Sequence, residues 1–396
     1  MRGIHVGTAF GIPIRLNWTF LVVLPLFAYL IGSDVGVIAE ILNETFGAGI
    51  DVGVLEAGGT QWVLGLAAAV GLFVGVLLHE FGHSLVAMRY GYEIDSITLW
   101  LLGGLASFAE FPEDWKHEFW IAIAGPAVSV AIGVVSYVGF LFTPASLDGV
   151  AFVLGYLAIL NVVLAVFNML PGFPMDGGRV LRALLARNRP HARATQQAAE
   201  VGKIFAFVLG LLGLFAFNLI LILLAFFIYI AASGEAQQTL LKATFEGVTV
   251  RDVMTPQSEL KTVEGTETVA DLFERMLRDR HTGYPVVRGG ELVGVVTLAD
   301  ASEVREVERD AYRVRDVMTT DLTTVEPGAD ALTALRTMQE TGVGRLPVVD
   351  ENGDLVGIIS RTDLMTAFDV IRSGGAPGRL DAEALPGPFD ARNPSK

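Results

Sequence analysis

His79-Glu80-Phe81-Gly82-His83 stands inside an apolar run, residues 62–88, that is long enough to cross a bilayer. The run implies a membrane helix, and the pentapeptide gives that helix a chemistry. Residues four apart on a helix share one face, so two imidazoles there could grip one metal ion. The carboxylate beside them would act as a general base. Placing such groups at membrane depth is costly, so their presence points to function. The plain alternative is a pair of polar helix residues satisfied by neighbours. The chain holds only six His, and two of them flank a Glu at metal-binding spacing.

Composition sets the frame around this span. The chain has 396 residues, 52% of them hydrophobic, too apolar for one soluble domain. Long hydrophobic runs fill the sequence to about residue 234, and a charged, β-branched sequence follows from residue 248. A membrane domain followed by a soluble domain is the natural division. Asp and Glu outnumber Lys and Arg 43 to 28, which argues against nucleic-acid binding. The absence of Cys excludes disulfides, thiolate ligands and a cysteine nucleophile. The first eighteen residues lack a signal-peptide cleavage pattern, so the first span is expected to stay as an anchor.

Six spans are expected: residues 17–31, 62–88, 119–142, 150–170, and two short helices within 201–232, with a turn near residues 213–218. One long tilted helix over 201–232 is the alternative. No Lys or Arg lies between Arg15 and Arg89, between Lys116 and Arg179, or between Lys203 and Lys242. With six spans, every positive charge of this half falls on one side, which the positive-inside rule makes cytoplasmic. Five arginines between Arg179 and Arg193 are the clearest marker, and the acidic segment 33–61 is expected as an outer loop. A cell-membrane, multi-pass protein with both termini cytoplasmic follows.

A hydrolytic zinc site needs a third protein ligand and one position for water. The fourth span ends in Asn168-Met-Leu-Pro171-Gly-Phe-Pro174-Met175-Asp176-Gly177-Gly178. Two prolines break the helix just before a carboxylate, and paired glycines follow it. Irregular backbone at membrane depth is tolerated where it lines a cavity or is buried in protein. A solvated interfacial turn is the simpler reading of Asp176 on its own.

Taken together, these residues resemble the site-2 protease family of intramembrane zinc metalloproteases. The resemblance rests on the His79–His83 motif, on Gly103-Gly104 in the following loop, and on the Asn168 to Gly177 pattern. Met175 stands where the family usually has Leu. The resemblance implies that His79, His83 and Asp176 hold a zinc ion and that Glu80 activates water. It implies that Asn168 positions substrate or stabilises an oxyanion. Such an enzyme would cleave peptide bonds within or next to transmembrane segments of protein substrates.

The loop 92–111 alternates in a strand-like way at Ile94, Ile97, Leu99 and Leu101, ahead of Gly103-Gly104. A helical substrate must be unwound before cleavage, and an exposed strand edge could hold it by β-addition. The resemblance implies that Gly103 and Gly104 serve this positioning; a plain cytoplasmic loop is the alternative. Gly125-Pro126 reads as a kink or a close helix contact. His5, His117, His191 and His281 read as interfacial or surface histidines.

The soluble half repeats itself. Val250-Arg-Asp-Val-Met254-Thr recurs at Val314–Thr319, Tyr284-Pro-Val-Val287 at Leu346–Val349, and the Gly294–Asp300 segment at Gly357–Asp363. Each unit reads strand, helix, strand, strand, helix, and the repeat resembles a pair of CBS domains. In that family the S/T-x-x-D motif often holds the ribose of an adenine nucleotide, which implies Thr297 and Asp300, then Ser360 and Asp363, as residues for AMP, ADP or ATP. Helix N-capping is the alternative use of the same residues.

The expected organisation is a six-span α-helical membrane domain over 1–243, then an α/β tandem CBS pair over 248–303 and 311–371, then a disordered tail at 374–396. The expected partners are a transmembrane protein substrate, the lipid bilayer and an adenine nucleotide, with a homodimer through the CBS domains. A CBS-gated channel or transporter would spread pathway charges over several spans. A non-catalytic metal-binding scaffold would not need Glu80.

Overall fold

Five helices among the described residues are long and apolar enough to cross a membrane, and a bent helix pair makes a sixth. The computed structural model describes residues 3–101, 103–108, 112 and 114–373. The tail expected at 374–396 lies outside the described residues, as does part of the loop 92–111. The chain divides into two compact units, Met1–Gln237 and Gln238–Lys396.

The first unit opens with a hairpin, β1 (Ile4–Ala9) and β2 (Ile12–Leu16). Phe10 and Gly11 turn it with φ of 54° and 81°, the twist that two-residue hairpin loops favour. Next come α1 (Phe20–Ser33), α2 (Val35–Phe46), α3 (Val52–Glu56) and α4 (Thr60–Arg89). β3 (Ile94–Trp100) and β4 (Gly103–Phe108) follow. The unit continues with α5 (Trp115–Leu141), α6 (Asp148–Asn168), α7 (Asp176–Ala186), α8 (His191–Phe215) and most of α9 (Leu219–Phe245), whose residues from 238 on belong to the second unit.

Two expectations change here. The first span is a broken pair: α1 and α2 are bent by 66°. At 14 residues, α1 reaches roughly 21 Å, short of the ~30 Å hydrocarbon core. The segment 33–61 is not an open loop, because it contains α2 and α3. The acidic residues face outward, while Val35, Ala39 and Leu42 form a buried stripe at helical spacing. The 201–232 run, in contrast, falls on two helices with a turn between them as expected, but they are long and not short, reaching back to His191 and on to Phe245. Asn218 N donates to Gly213 O at 2.8 Å to close the turn, and Asn218 Oδ1 accepts from Leu221 N at 3.1 Å to cap α9.

α4 is the interior helix, with 44% of its most apolar stretch buried against 17% for α9. Lipid tails give little hydrophobic reward for helix association, so small residues set the contacts. Strands β1 to β4 form one sheet in that order, antiparallel except for the parallel β2–β3 pair. Among the described residues β4 therefore lies at an edge.

The second unit has two small cores. Val263, Val269, Leu272, Tyr284, Val286 and Val296 build one, and Ala331, Leu335, Met338, Leu346, Val348 and Ile359 build the other. The two repeats exchange their leading segments. Val250 and Val253 bury in the second core, and Val314 buries in the first. Backbone bonds hold the exchange, with Val250 N donating to Ala329 O at 2.8 Å and Val314 N to Glu267 O at 2.9 Å. Tyr284 is fully buried and its hydroxyl donates to Asp279 Oδ2 at 3.1 Å. Burial and the neighbouring carboxylate both push that phenol far above its usual range.

Candidate metal centre

α4 carries His79 and His83 one turn apart on its interior face, each 4% exposed. α6 stops at Asn168 because Pro171 and Pro174 cannot extend its hydrogen-bond ladder. In the connecting loop Phe173 and Met175 are buried, at 2% and 3% exposure, while Pro171 and Pro174 are exposed. The loop delivers Asp176 to the first turn of α7 at 9% exposure, so this carboxylate is not a solvated interfacial residue.

The three side chains converge. His79 Nε2 and His83 Nε2 are 3.2 Å apart, and each lies 3.2 Å from Asp176 Oδ2. Tetrahedral zinc with bonds of 2.0–2.1 Å to nitrogen and oxygen requires ligand atoms about 3.3 Å apart. The donor set is two imidazoles and one carboxylate, a hydrolytic zinc combination that leaves a fourth position for water.

The outer bonds fix the rings for this use. His83 Nδ1 lies 2.7 Å from the carbonyl oxygen of Ile121. A carbonyl only accepts, so Nδ1 carries the proton and neutral Nε2 presents its lone pair to the triangle. His79 Nδ1 lies 2.8 Å from Ser129 Oγ. Ile121 and Ser129 are both on α5, so one helix orients both rings. Gly125 lies between them in sequence. A methyl there would stand 2.2 Å from His83 Nε2 and 2.7 Å from His79 Nε2. Only glycine leaves the space, which is the close contact that Gly125-Pro126 suggested.

Glu80 is half-buried beside the pair. Gly104 packs against it, and a methyl on Gly104 would stand 2.3 Å from Glu80 Cγ. Gly103 has φ +132°, a conformation that favours glycine. The two glycines thus start the edge strand β4 directly at the carboxylate. Asn168 is half-buried at the end of α6, and among the described residues no hydrogen bond joins it to His79, His83 or Asp176. The other histidines lie elsewhere: His117 bonds Tyr92 Oη at 3.1 Å, His281 bonds Asp279 O at 2.6 Å, His5 is near Thr8, and His191 approaches Glu118.

In the second unit, Thr297 and Asp300 form a capping box, as do Ser360 and Asp363. Asp300 Oδ2 accepts from Thr297 N and Oγ1, both at 2.7 Å, and Asp363 Oδ2 accepts from Ser360 N and Oγ, both at 2.8 Å. Both aspartates bond through Oδ2; among the described residues Oδ1 accepts no hydrogen bond. Arg345, which pairs with Ser360 across the sheet, crosses to the first repeat and donates to Gly283 O at 2.6 Å and Thr282 Oγ1 at 2.8 Å. Burial lowers its pKa from the usual arginine range. Sequence reading missed Ser129, the Ile121 carbonyl and Arg345. Nothing in their local sequence marks them, because each acts on a residue 38 or more positions away.

Comparison with known proteins adds the following. The family described as Peptidase family M50 matches residues 67–147 and 145–212, and CBS domain matches residues 250–306 and 314–370. The chain is similar to a zinc metalloprotease of Methanocaldococcus jannaschii, 37% identical over 300 residues, covering 76% of this chain and 84% of that one. It is similar to Rip3 of Mycobacterium tuberculosis, 33% identical over 387 residues, covering 93% of each. Among solved structures it is similar to the site-2 protease from Methanocaldococcus jannaschii, 35% identical, covering 59% of this chain and 95% of that chain, with a TM-score of 0.41.

Proposed function

The chain belongs to peptidase family M50, the site-2 proteases, as a membrane zinc metalloprotease with a CBS pair, and on that premise we propose that His79, His83 and Asp176 hold its zinc and Glu80 is its general base. The observation that carries this assignment is the 3.2 Å triangle of His79 Nε2, His83 Nε2 and Asp176 Oδ2. When bound, zinc polarises a carbonyl and lowers the pKa of a coordinated water to about 7. Glu80 accepts the proton that the attacking water loses and returns it to the departing amine nitrogen. Asn168 is assigned an amide donor role toward the substrate, where one well-placed donor lowers the barrier by roughly 3 kcal/mol.

The substrate class we assign is a membrane-embedded or membrane-adjacent protein segment. Two features support it. The two histidines are buried side chains of a helix long and apolar enough to cross a membrane, and β4, an edge strand among the described residues, begins beside Glu80. An extended peptide added to β4 would run next to the base. The distribution of Lys and Arg supports a cytoplasmic location for both termini and the CBS pair. Membership of a peptidase family and the presence of Glu80 between the two histidines of this chain disfavour a channel or a non-catalytic scaffold.

We also assign adenine-nucleotide binding to the CBS pair, through Thr297, Asp300, Ser360 and Asp363, with modulation of proteolysis as its consequence. The free Oδ1 of each aspartate supports this, since it can accept from a ribose hydroxyl without breaking the cap.

Zinc content tests the ligand assignment. Asp176→Ala and His79→Ala are each expected to bind less than a tenth of the wild-type zinc, measured by elemental analysis after dialysis. Full occupancy in Asp176→Ala would move the third ligand elsewhere.

A further inference from the structure

We propose that Arg182 is a positioning residue for the metal centre, fastening the loop and helix that deliver Asp176 to the helix that orients both histidines. The inference rests on the ligand set proposed above. Arg182 lies six residues after Asp176 on α7 and is 6% exposed. Its Nε and Nη2 each stand 2.6 Å from Glu118 Oε1, and its Nη1 stands 2.6 Å from Glu235 Oε1 on α9. The guanidinium also lies over the Phe173 ring, 5.0 Å from its centroid, in the loop just before Asp176. One planar cation therefore holds both sides of the carboxylate's attachment.

Glu118 is 3% exposed and precedes Ile121 by three residues on α5. Ile121 fixes His83, and Ser129 on the same helix fixes His79. The ion pair thus joins the element that orients two ligands to the element that presents the third. A buried ion pair is a poor source of stability, because desolvation offsets its attraction, and an apolar pair of similar volume does as well. What a guanidinium fork adds is a fixed separation and angle. Metal affinity depends on that geometry, since losing an outer orienting partner typically weakens binding 10–100-fold. Glu235 brings α9 into the same node, at a side-chain exposure of 35%.

The test uses the full chain in detergent, with zinc dissociation constants from chelator competition and melting curves of zinc-free protein. The variants are Arg182→Lys and the charge-neutral pair Glu118→Gln with Arg182→Met, which keeps side-chain volume and leaves no buried unpaired charge at Glu118. The double variant is expected to bind zinc roughly tenfold more weakly, with Arg182→Lys between it and wild type. A purely structural role would lower the zinc-free melting temperature and leave the zinc constant unchanged, and that result overturns the proposal. Asp176→Ala is measured alongside. If it binds zinc like wild type, the ligand assignment fails; if it loses zinc while the Arg182 variants keep wild-type affinity, only the positioning role fails.

Discussion

Ser129 Oγ lies 2.8 Å from His79 Nδ1, and Ser129 itself is fully buried. A hydroxyl enclosed this way serves the one ring it touches, holding it so that Nε2 faces the other two ligand atoms. Ser129→Ala should therefore weaken zinc binding by about 10–100-fold with little change in fold. Chelator competition on the purified variant checks this. Wild-type affinity would show that helix packing alone orients His79.

Gly125→Ala makes a sharper test of the same geometry. Alanine suits a helix interior better than glycine by about 1 kcal/mol, so helix formation should not suffer. The added methyl, however, would stand 2.2 Å from His83 Nε2. The ring must swing away, and zinc content should fall to roughly a tenth of wild type or less. Elemental analysis showing one zinc per chain in Gly125→Ala would contradict the described cradle.

The candidate metal-site residues are legible in sequence because His79, Glu80 and His83 share one helix turn, and because the two prolines that stop α6 mark the loop before Asp176, although Asp176 lies 93 positions from His83. The partners of those residues are not. Ile121 and Ser129 reach the ligands only through the packing of α5 on α4, Gly125 reads from sequence as a kink or close helix contact and not as a neighbour of the histidines, and Arg182 meets Glu118 across 64 positions. The N-terminal hairpin was missed although Ile4 to Leu16 alternates and Phe10-Gly11 supplies a turn, since an adjoining apolar span dominates the local signal. Acidic residues made 33–61 read as a loop, where helical spacing of Val35, Ala39 and Leu42 was the better guide. In the CBS pair the repeats were plain, but a repeat does not say which core its first segment joins. Val250 and Val314 each join the opposite one.

The capping boxes at Thr297–Asp300 and Ser360–Asp363 separate two roles in the C-terminal unit. Replacing Asp300 and Asp363 by Ala removes half of each box, and a lost cap costs about 1 kcal/mol. The melting temperature should drop. If the same carboxylates hold ribose, ATP, ADP or AMP at millimolar concentration should raise the melting temperature of the wild-type chain and fail to raise that of the double variant. An equal rise in both would confine these aspartates to capping.

The central claim is that the buried triad holds zinc while Glu80 moves the proton, and one variant separates those tasks. Glu80→Gln keeps the shape beside Gly104 and leaves His79, His83 and Asp176 intact. Zinc content and hydrolysis of a membrane-peptide substrate are measured on the same purified sample. The account predicts about one zinc per chain, as in wild type, and a turnover lower by at least ~10²-fold. Wild-type-like turnover by zinc-loaded Glu80→Gln would contradict it.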